Sequence, residues 1–528
     1  MFATIFAILI LVLAGWAIAK NYDAKVVLFA AGFLLMYAAL IMGSDVLTGK
    51  DASGLAWADP FKAVKDLFIK QYANAGLIIL TLFGFAAYMS KIGANDKVIE
   101  LLSRPLAAVK SPYILVPLVF WLGTLLSIII PSAASLAVIL MATLYPVLKA
   151  AKMTPLTAAG VIATTATIVP TPLGGDNVVA ARVLGFDHVV DYVFYHHAVI
   201  SIPAIIVMGI VHYFWQKHLD RTEGAIKAAV DESELRQVNA DAPAWYAVFP
   251  VLPLGLTIFF WAFFKHAKVG LVEITLFSFA LAFIAETIRR RDVKAAMKDV
   301  STFFNGMGDG FSKVVVLIVA ASTMVAGLKA MGLIDAISGL VTGVENAGAG
   351  LMLVFSGITA LITFVSGSGN AVFYSFIELI PQIADKAGID PIMVALPMQL
   401  TSNVIRAASP VAAVVIIVAA VVKVNPLMVV KRTCVPLLSG FAAVLLLSLI
   451  RYAGNFKESE LRANFPAKLG CLEGLHRTIL LDPSDTAPLN RVIAIFNECT
   501  RAFTNFGQDP EELQVQLNRP TERRNRGS

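Results

Sequence analysis

Position 406 carries an arginine in the middle of an apolar stretch that runs from 391 to 422. A guanidinium at the centre of a membrane helix costs at least about 3 kcal/mol, so it normally faces a pathway or a partner. Its planar fork can hold a carboxylate through two parallel hydrogen bonds. The other use of such a residue is an ion pair or carbonyl clamp that keeps a broken helix in shape. Its neighbours suit an anion. Thr401, Ser402 and Asn403 precede it, and Ser409 with Pro410 reads as an N-cap followed by a first helical residue. A helix restarting there points its amide-rich positive end at the break. Two other polar interruptions, Ser366-Gly367-Ser368-Gly369-Asn370 and Pro131-Ser132-Ala133-Ala134-Ser135, place Asn370 and Ser135 at equivalent return points. Small residues also serve close helix packing, a reading that weighs more for Ser132 and Ser135 than for Ser366 to Asn370. Asp176, in Gly174-Gly175-Asp176-Asn177, is the leading acid inside the apolar region. It can bind a proton or sodium ion, neutralise Arg406 when no anion is present, or cap a restarting helix. Glu378 ranks below it. Thr171, with Thr165 and Thr167, either faces the same space or bonds its own backbone.

These residues need elements that come apart inside a membrane. Apolar helices are expected at 3–19, 26–47, 75–93, 112–130, 133–149, 155–171, 176–185 and 195–216, then at 244–264, 269–288, 309–330, 348–365, 370–386, 391–405, 410–422 and 433–453. Segments 97–108 and 334–344 are shorter and amphipathic, as expected of interfacial helices. The interruptions at 130–135 and 365–370 predict re-entrant hairpins. Those at 169–176 and 401–410 predict helices that stop and restart within the bilayer. Unwound backbone at that depth requires protein or a water-filled cavity to satisfy its amides and carbonyls, so all four breaks are expected to line one.

Composition agrees. Of 528 residues, 58% are hydrophobic and 15% charged, and the mean hydropathy is +0.77, which excludes a water-soluble globule and a disordered chain. Three cysteines without CxxC spacing give no zinc or redox site. His196, His197 and His212 lack the spacing of metal ligands. HExxH, GxSxG and GxxxxGK motifs are missing from the sequence, so neither an enzyme nor an ATP-driven pump is expected, and no cofactor beyond a coupling sodium ion or proton. The net charge of +6 reads as loop bias, not nucleic-acid affinity. The first apolar run reads as a retained span.

The order of elements repeats. At an offset of 235, Pro146 falls on Pro381, Ser135 on Asn370, and Ala166-Thr167 on Thr401-Ser402. With hairpins counted as zero, each half crosses five times, an odd number that predicts inverted repeats. The expected organisation is a first membrane repeat at 1–216, a charged cytoplasmic linker at 217–243, an inverted second repeat at 244–456 and a soluble tail at 457–528. An outside N-terminus puts 21 Lys and Arg residues inside and 10 outside, so both termini are expected on the outer face. Residues 487–504 predict one amphipathic helix in the tail, where Cys471 and Cys499 are free to pair.

Gly84-Phe85-Ala86-Ala87-Tyr88-Met89-Ser90-Lys91-Ile92-Gly93-Ala94-Asn95-Asp96, Leu140 to Pro146, Gly367 to Ala371 and Val429 to Pro436 resemble the anaerobic C4-dicarboxylate carrier DcuC family, within the ion-transporter superfamily. The resemblance extends from about residue 5 to 453. It implies a bacterial inner-membrane carrier of succinate, fumarate, malate or aspartate, working by cation-coupled uptake, exchange or efflux. It further implies a homodimer whose subunits divide into a scaffold and an elevator-like transport part holding both hairpins and both broken helices. Ser366 to Asn370, Thr401 to Asn403, Arg406 and Asp176 match the positions where such carriers build their site. Ser132 and Ser135 match more loosely, because a proline opens that tip and glycine is missing. The alternatives are a carrier of another organic anion on the same architecture, or a channel.

Overall fold

Polar interruptions set where the helices of this chain end. In the computed structural model of the protein, residues 2–453 are described except 131, 224–241, 265, 266, 268, 334, 335 and 337–346. The expectations for the tail at 457–528, its helix and cysteine pair, for the interfacial segment at 334–344 and for most of the 217–243 linker lie outside the described residues.

The first half starts with α1 (Phe2–Ala19) and α2 (Ala24–Ile41). A long rod follows: α3 (Asp59–Gln71), a π turn at Tyr72–Gly76, then α4 (Leu77–Lys91). After the short α5 (Ala94–Ser103), α6 (Pro112–Ile129) pairs with α7 (Ala133–Thr143) and α8 (Tyr145–Ala150) as a hairpin. An interrupted helix comes next, α9 (Pro155–Thr164) and α10 (Gly175–Val183), and then α11 (Val189–Tyr192) leads through a π turn into α12 (Ala198–Glu223). The second half repeats this order with α13 (Leu252–Phe263), α14 (Leu271–Arg290) and a second rod, α15 (Val293–Gly310), a π turn at Phe311–Val315 and α16 (Val316–Ala330). Its hairpin is α17 (Ala347–Ser366) with α18 (Gly369–Ile377) and α19 (Ile380–Ala387). Its interrupted helix is α20 (Ile392–Arg406) and α21 (Ala413–Val421), and α22 (Pro426–Ala453) closes the series. Among the described residues, nine helices are long and apolar enough to cross a membrane.

Packing follows the repeat. As α2 lies on α16, so α14 lies on α4; α3 meets α16 as α15 meets α4; α7 meets α21 as α18 meets α10. The rods touch backbone to backbone. A Cβ on Gly306 would stand 2.7 Å from Phe83 O and Ala87 Cβ, and one on Gly84 would stand 2.8 Å from Phe303 O, so this crossing requires glycine on both sides.

Several boundaries depart from the sequence expectation. The rods begin near 59 and 293, not at 75 and 309, because each π turn lets a polar amphipathic helix run straight into an apolar one. α12 continues to Glu223, so the supposed start of the linker is helical. α22 begins at Pro426, not 433, which brings Arg432 into a helix. There the guanidinium is buried against Asp220 at 2.6 Å and donates to Thr157 Oγ1 at 3.0 Å, fastening α9, α12 and α22 together.

Candidate substrate-binding site

Past Thr164 the chain leaves α9 through tighter turns, in which Thr165 N and Thr167 N donate to Ile162 O and Thr164 O, and Pro170 and Pro172, which lack amide hydrogens, keep a helix from resuming at once. The freed carbonyls of Val169 and Thr171 accept from Asn177 Nδ2 at 2.9 and 2.8 Å. The Thr165 and Thr167 hydroxyls bond Ile162 O and Thr164 O on their own helix. Thr171 turns its hydroxyl to Ile128 O at 2.9 Å, tying the break to the first hairpin. In the second interrupted helix, Thr433 Oγ1 donates to Ala407 O at 2.8 Å, which satisfies one carbonyl at that break.

The two breaks are joined side chain to side chain. Gln399, Asn403 and Arg406 share one face of α20, since their spacing of four and three residues is close to helical. Gln399 Nε2 donates to Asp176 Oδ2 at 3.0 Å and to Asn177 Oδ1 at 2.8 Å, while Asn403 Nδ2 donates to Asp176 Oδ2 at 2.7 Å. The Tyr192 hydroxyl donates to Gln399 Oε1. Arg406 Nη2 donates to Ala166 O at 2.9 Å across the pair of breaks, and its buried Nε has no partner. Of the roles open to Asp176, pairing with this guanidinium is not seen. Two amides hold the acid, and the guanidinium acts as a carbonyl clamp with hydrogen-bonding capacity to spare.

The second hairpin closes on this group. Gly367 has φ +70°, and a Cβ there would lie 2.8 Å from Ala412 N. A Cβ on Gly369 would collide with Ser402 O, so the start of α18 rests directly on α20. Ser366 Oγ accepts from Ser368 N at 3.3 Å, within the tip, and Asn370 is half-buried in the first turn of α18. Thr401 Oγ1 and Ser409 Oγ are buried without a partner. Ser402, by contrast, turns its hydroxyl to Gln399 O at 2.7 Å, within its own helix. Ser409 does not cap the restarted helix: α21 begins at Ala413 with Ala412 before it, because Ser409 O accepts from Ala412 N in an extra turn.

At the first hairpin, Ser132 Oγ donates to Ser135 Oγ at 3.0 Å. Both serines line a cavity of about 210 Å³ together with Gly175. Glu378 lies apart from Arg406 and Asp176. It accepts from Gln71 Nε2 at 2.9 Å, an amide that also reaches Ser322 on α16, so this acid sits between the second hairpin and the rods.

A family model described as the C4-dicarboxylate anaerobic carrier, DcuC, matches residues 2–453. The chain belongs to that family. The anaerobic C4-dicarboxylate transporter DcuC of Escherichia coli K12 is 38% identical over 452 residues, covering 84% of this chain and 96% of that protein. A probable DcuC transporter from Vibrio cholerae is 37% identical over 437 residues, covering 82% and 94%. The crystal structure of the YdaH transporter of Alcanivorax borkumensis, reported to reveal an unusual topology, superposes with a TM-score of 0.53 at 17% identity over 81% of this chain and 98% of that one. That likeness concerns the fold.

In this DcuC-family chain, the residues that sequence reasoning missed are Gln399, Asn177 and Tyr192. Gln399 carried a signal, an amide inside the apolar run that leads to Thr401. Tyr192 carried none, since only tertiary structure brings it to Gln399.

Proposed function

We propose that this protein is a secondary carrier of C4-dicarboxylates such as succinate, fumarate, malate and aspartate in the bacterial inner membrane. The observation that carries the reading is Arg406, a guanidinium with an unpaired buried Nε set between two helix breaks. One substrate carboxylate pairs with Arg406. The other is received by the amide-rich starts of the half-helices at the hairpin tips and by the unpartnered hydroxyls of Thr401 and Ser409. Two anionic ends need two donor clusters.

Transport by this reading is an elevator motion. Both hairpins and both interrupted helices travel as one body past the crossed rods, in a chain whose halves are inverted repeats with the N-terminus outside. The swapped contact pairs of the two halves support a two-fold relation between them, and the Arg432–Asp220 pair supports common movement of α9, α12 and α22. Carrying Arg406 (+1), Asp176 (−1) and a dianion (−2) leaves a net charge of −2 in a poorly polarisable medium, so sodium ions or protons bound near Asp176 lower the cost of crossing. The subunits are proposed to form a homodimer.

Counterflow in proteoliposomes tests this reading. Labelled succinate should accumulate transiently in vesicles loaded with unlabelled succinate or fumarate, saturably, and with a dependence on imposed sodium or pH gradients. Non-saturable flux without counter-substrate stimulation would indicate a channel; saturable counterflow restricted to monocarboxylates or amino acids would indicate another anion.

A further inference from the structure

The π turn at Phe311–Val315 turns Phe311, Ser312 and Lys313 outward while Val314 and Val315 stay buried. Lys313 thereby reaches the cavity of about 210 Å³ that also holds Ser132, Ser135, Gly175, Asn95 and Asp309. Among the described residues lining it, Lys313 is the only cation and Asp309 the only acid. Their side chains are 64% and 61% exposed, and Nζ stands 2.6 Å from Asp309 Oδ2. An ion pair so exposed is worth little, so the ammonium is available to a competing anion. Most of the wall is apolar, from Ile79, Leu82, Phe83 and Leu173 among others, and low-dielectric walls focus the field of the charges within a cleft. The equivalent π turn of the first rod, Tyr72–Gly76, has the exposed but neutral Asn74 as its third residue, where the second rod has Lys313.

We infer that Lys313 is an electrostatic collecting residue for the dianion, drawing it into the vestibule and on to the serines of the first hairpin from one membrane face only. The inference rests on the carrier reading above. Lys313 raises the local substrate concentration and takes no part in translocation, so its effect falls on KM and not on kcat. Asp309 opposes it.

Initial rates of succinate exchange, measured separately from each face of oriented vesicles over a range of ionic strengths, test this. Lys313→Gln should raise KM about tenfold at low salt from the face where the cavity opens, with kcat unchanged and the difference shrinking as salt is added. Lys313→Arg should restore the wild-type KM, and Asp309→Asn should lower it. An unchanged KM in Lys313→Gln, a shift independent of salt, an equal shift at both faces, or a fall in kcat alone would each overturn the inference. Wild-type protein that exchanges no dicarboxylate would remove the carrier reading itself, an outcome distinct from an active carrier indifferent to position 313.

Discussion

Arg406 engages Ala166 O with one terminal nitrogen and leaves a buried Nε unpaired. A buried donor without a partner is costly, on the order of 1–3 kcal/mol and more for a charged group, and that cost is relieved when a carboxylate arrives. Asp176 differs, since its Oδ2 already accepts from Gln399 and Asn403. The groups that hold its carboxylate are neutral amides, which suits a site for a coupling cation. Asp176→Asn keeps the size and much of the hydrogen bonding but removes the charge. Exchange in this variant should persist while its response to sodium and pH gradients is lost; an unchanged gradient response would remove Asp176 from coupling. That Arg406 and Asp176 lie at the two helix breaks was legible in the sequence, because a charge in an apolar run is conspicuous. Their actual partners were not, because Gln399 and Ala166 meet them only when α9, α10 and α20 pack. Ser402 shows the same limit. Its type suited an anion, but its rotamer, set by the turn beneath it, points at Gln399 O.

At the scale of elements, the two hairpins and the two interrupted helices were legible because proline and clustered small polar residues leave no other way to fold within lipid. Three restarts, at Ala133, Gly175 and Gly369, fall within one residue of expectation, and the fourth does not. Ser409-Pro410 has the form of a helix start, yet an additional turn delays α21 to Ala413. The π turns in both rods were also hidden, since one extra residue in a helix leaves little trace in hydrophobic periodicity. Close contacts make definite predictions. With Ser402 O where its Cβ would stand, Gly369→Ala must displace the second hairpin from α20. It should cost about 1–3 kcal/mol, seen as a lowered unfolding midpoint in detergent, together with lost exchange. Asp220→Ala takes the carboxylate away from buried Arg432 and should cost about 3–5 kcal/mol. Replacing both partners, as in Asp220→Leu with Arg432→Met, should recover much of that in the same thermal assay.

For the whole molecule, the family match stops at residue 453 and the chain continues to 528. No part of the proposed site lies beyond 453, so removing 457–528 should leave the rate and KM of succinate exchange unchanged; a loss of exchange in correctly inserted protein would give the tail a role in transport. The repeated order of elements was legible from the offset of the two halves, and the swapped packing of α2 on α16 and α14 on α4 agrees with it. On the reading proposed above, a doubly charged substrate binds between the breaks through Arg406. Equilibrium binding of labelled succinate to the purified protein, with butyrate as a competitor and Arg406→Gln beside the wild type, tests it most directly. Butyrate keeps the chain length but has one carboxylate. Succinate should bind saturably, butyrate should compete weakly, and Arg406→Gln should weaken binding by about a hundredfold, the loss of a charge-assisted pair worth roughly 3 kcal/mol. Wild-type affinity in Arg406→Gln, or butyrate competing as well as succinate, would contradict it.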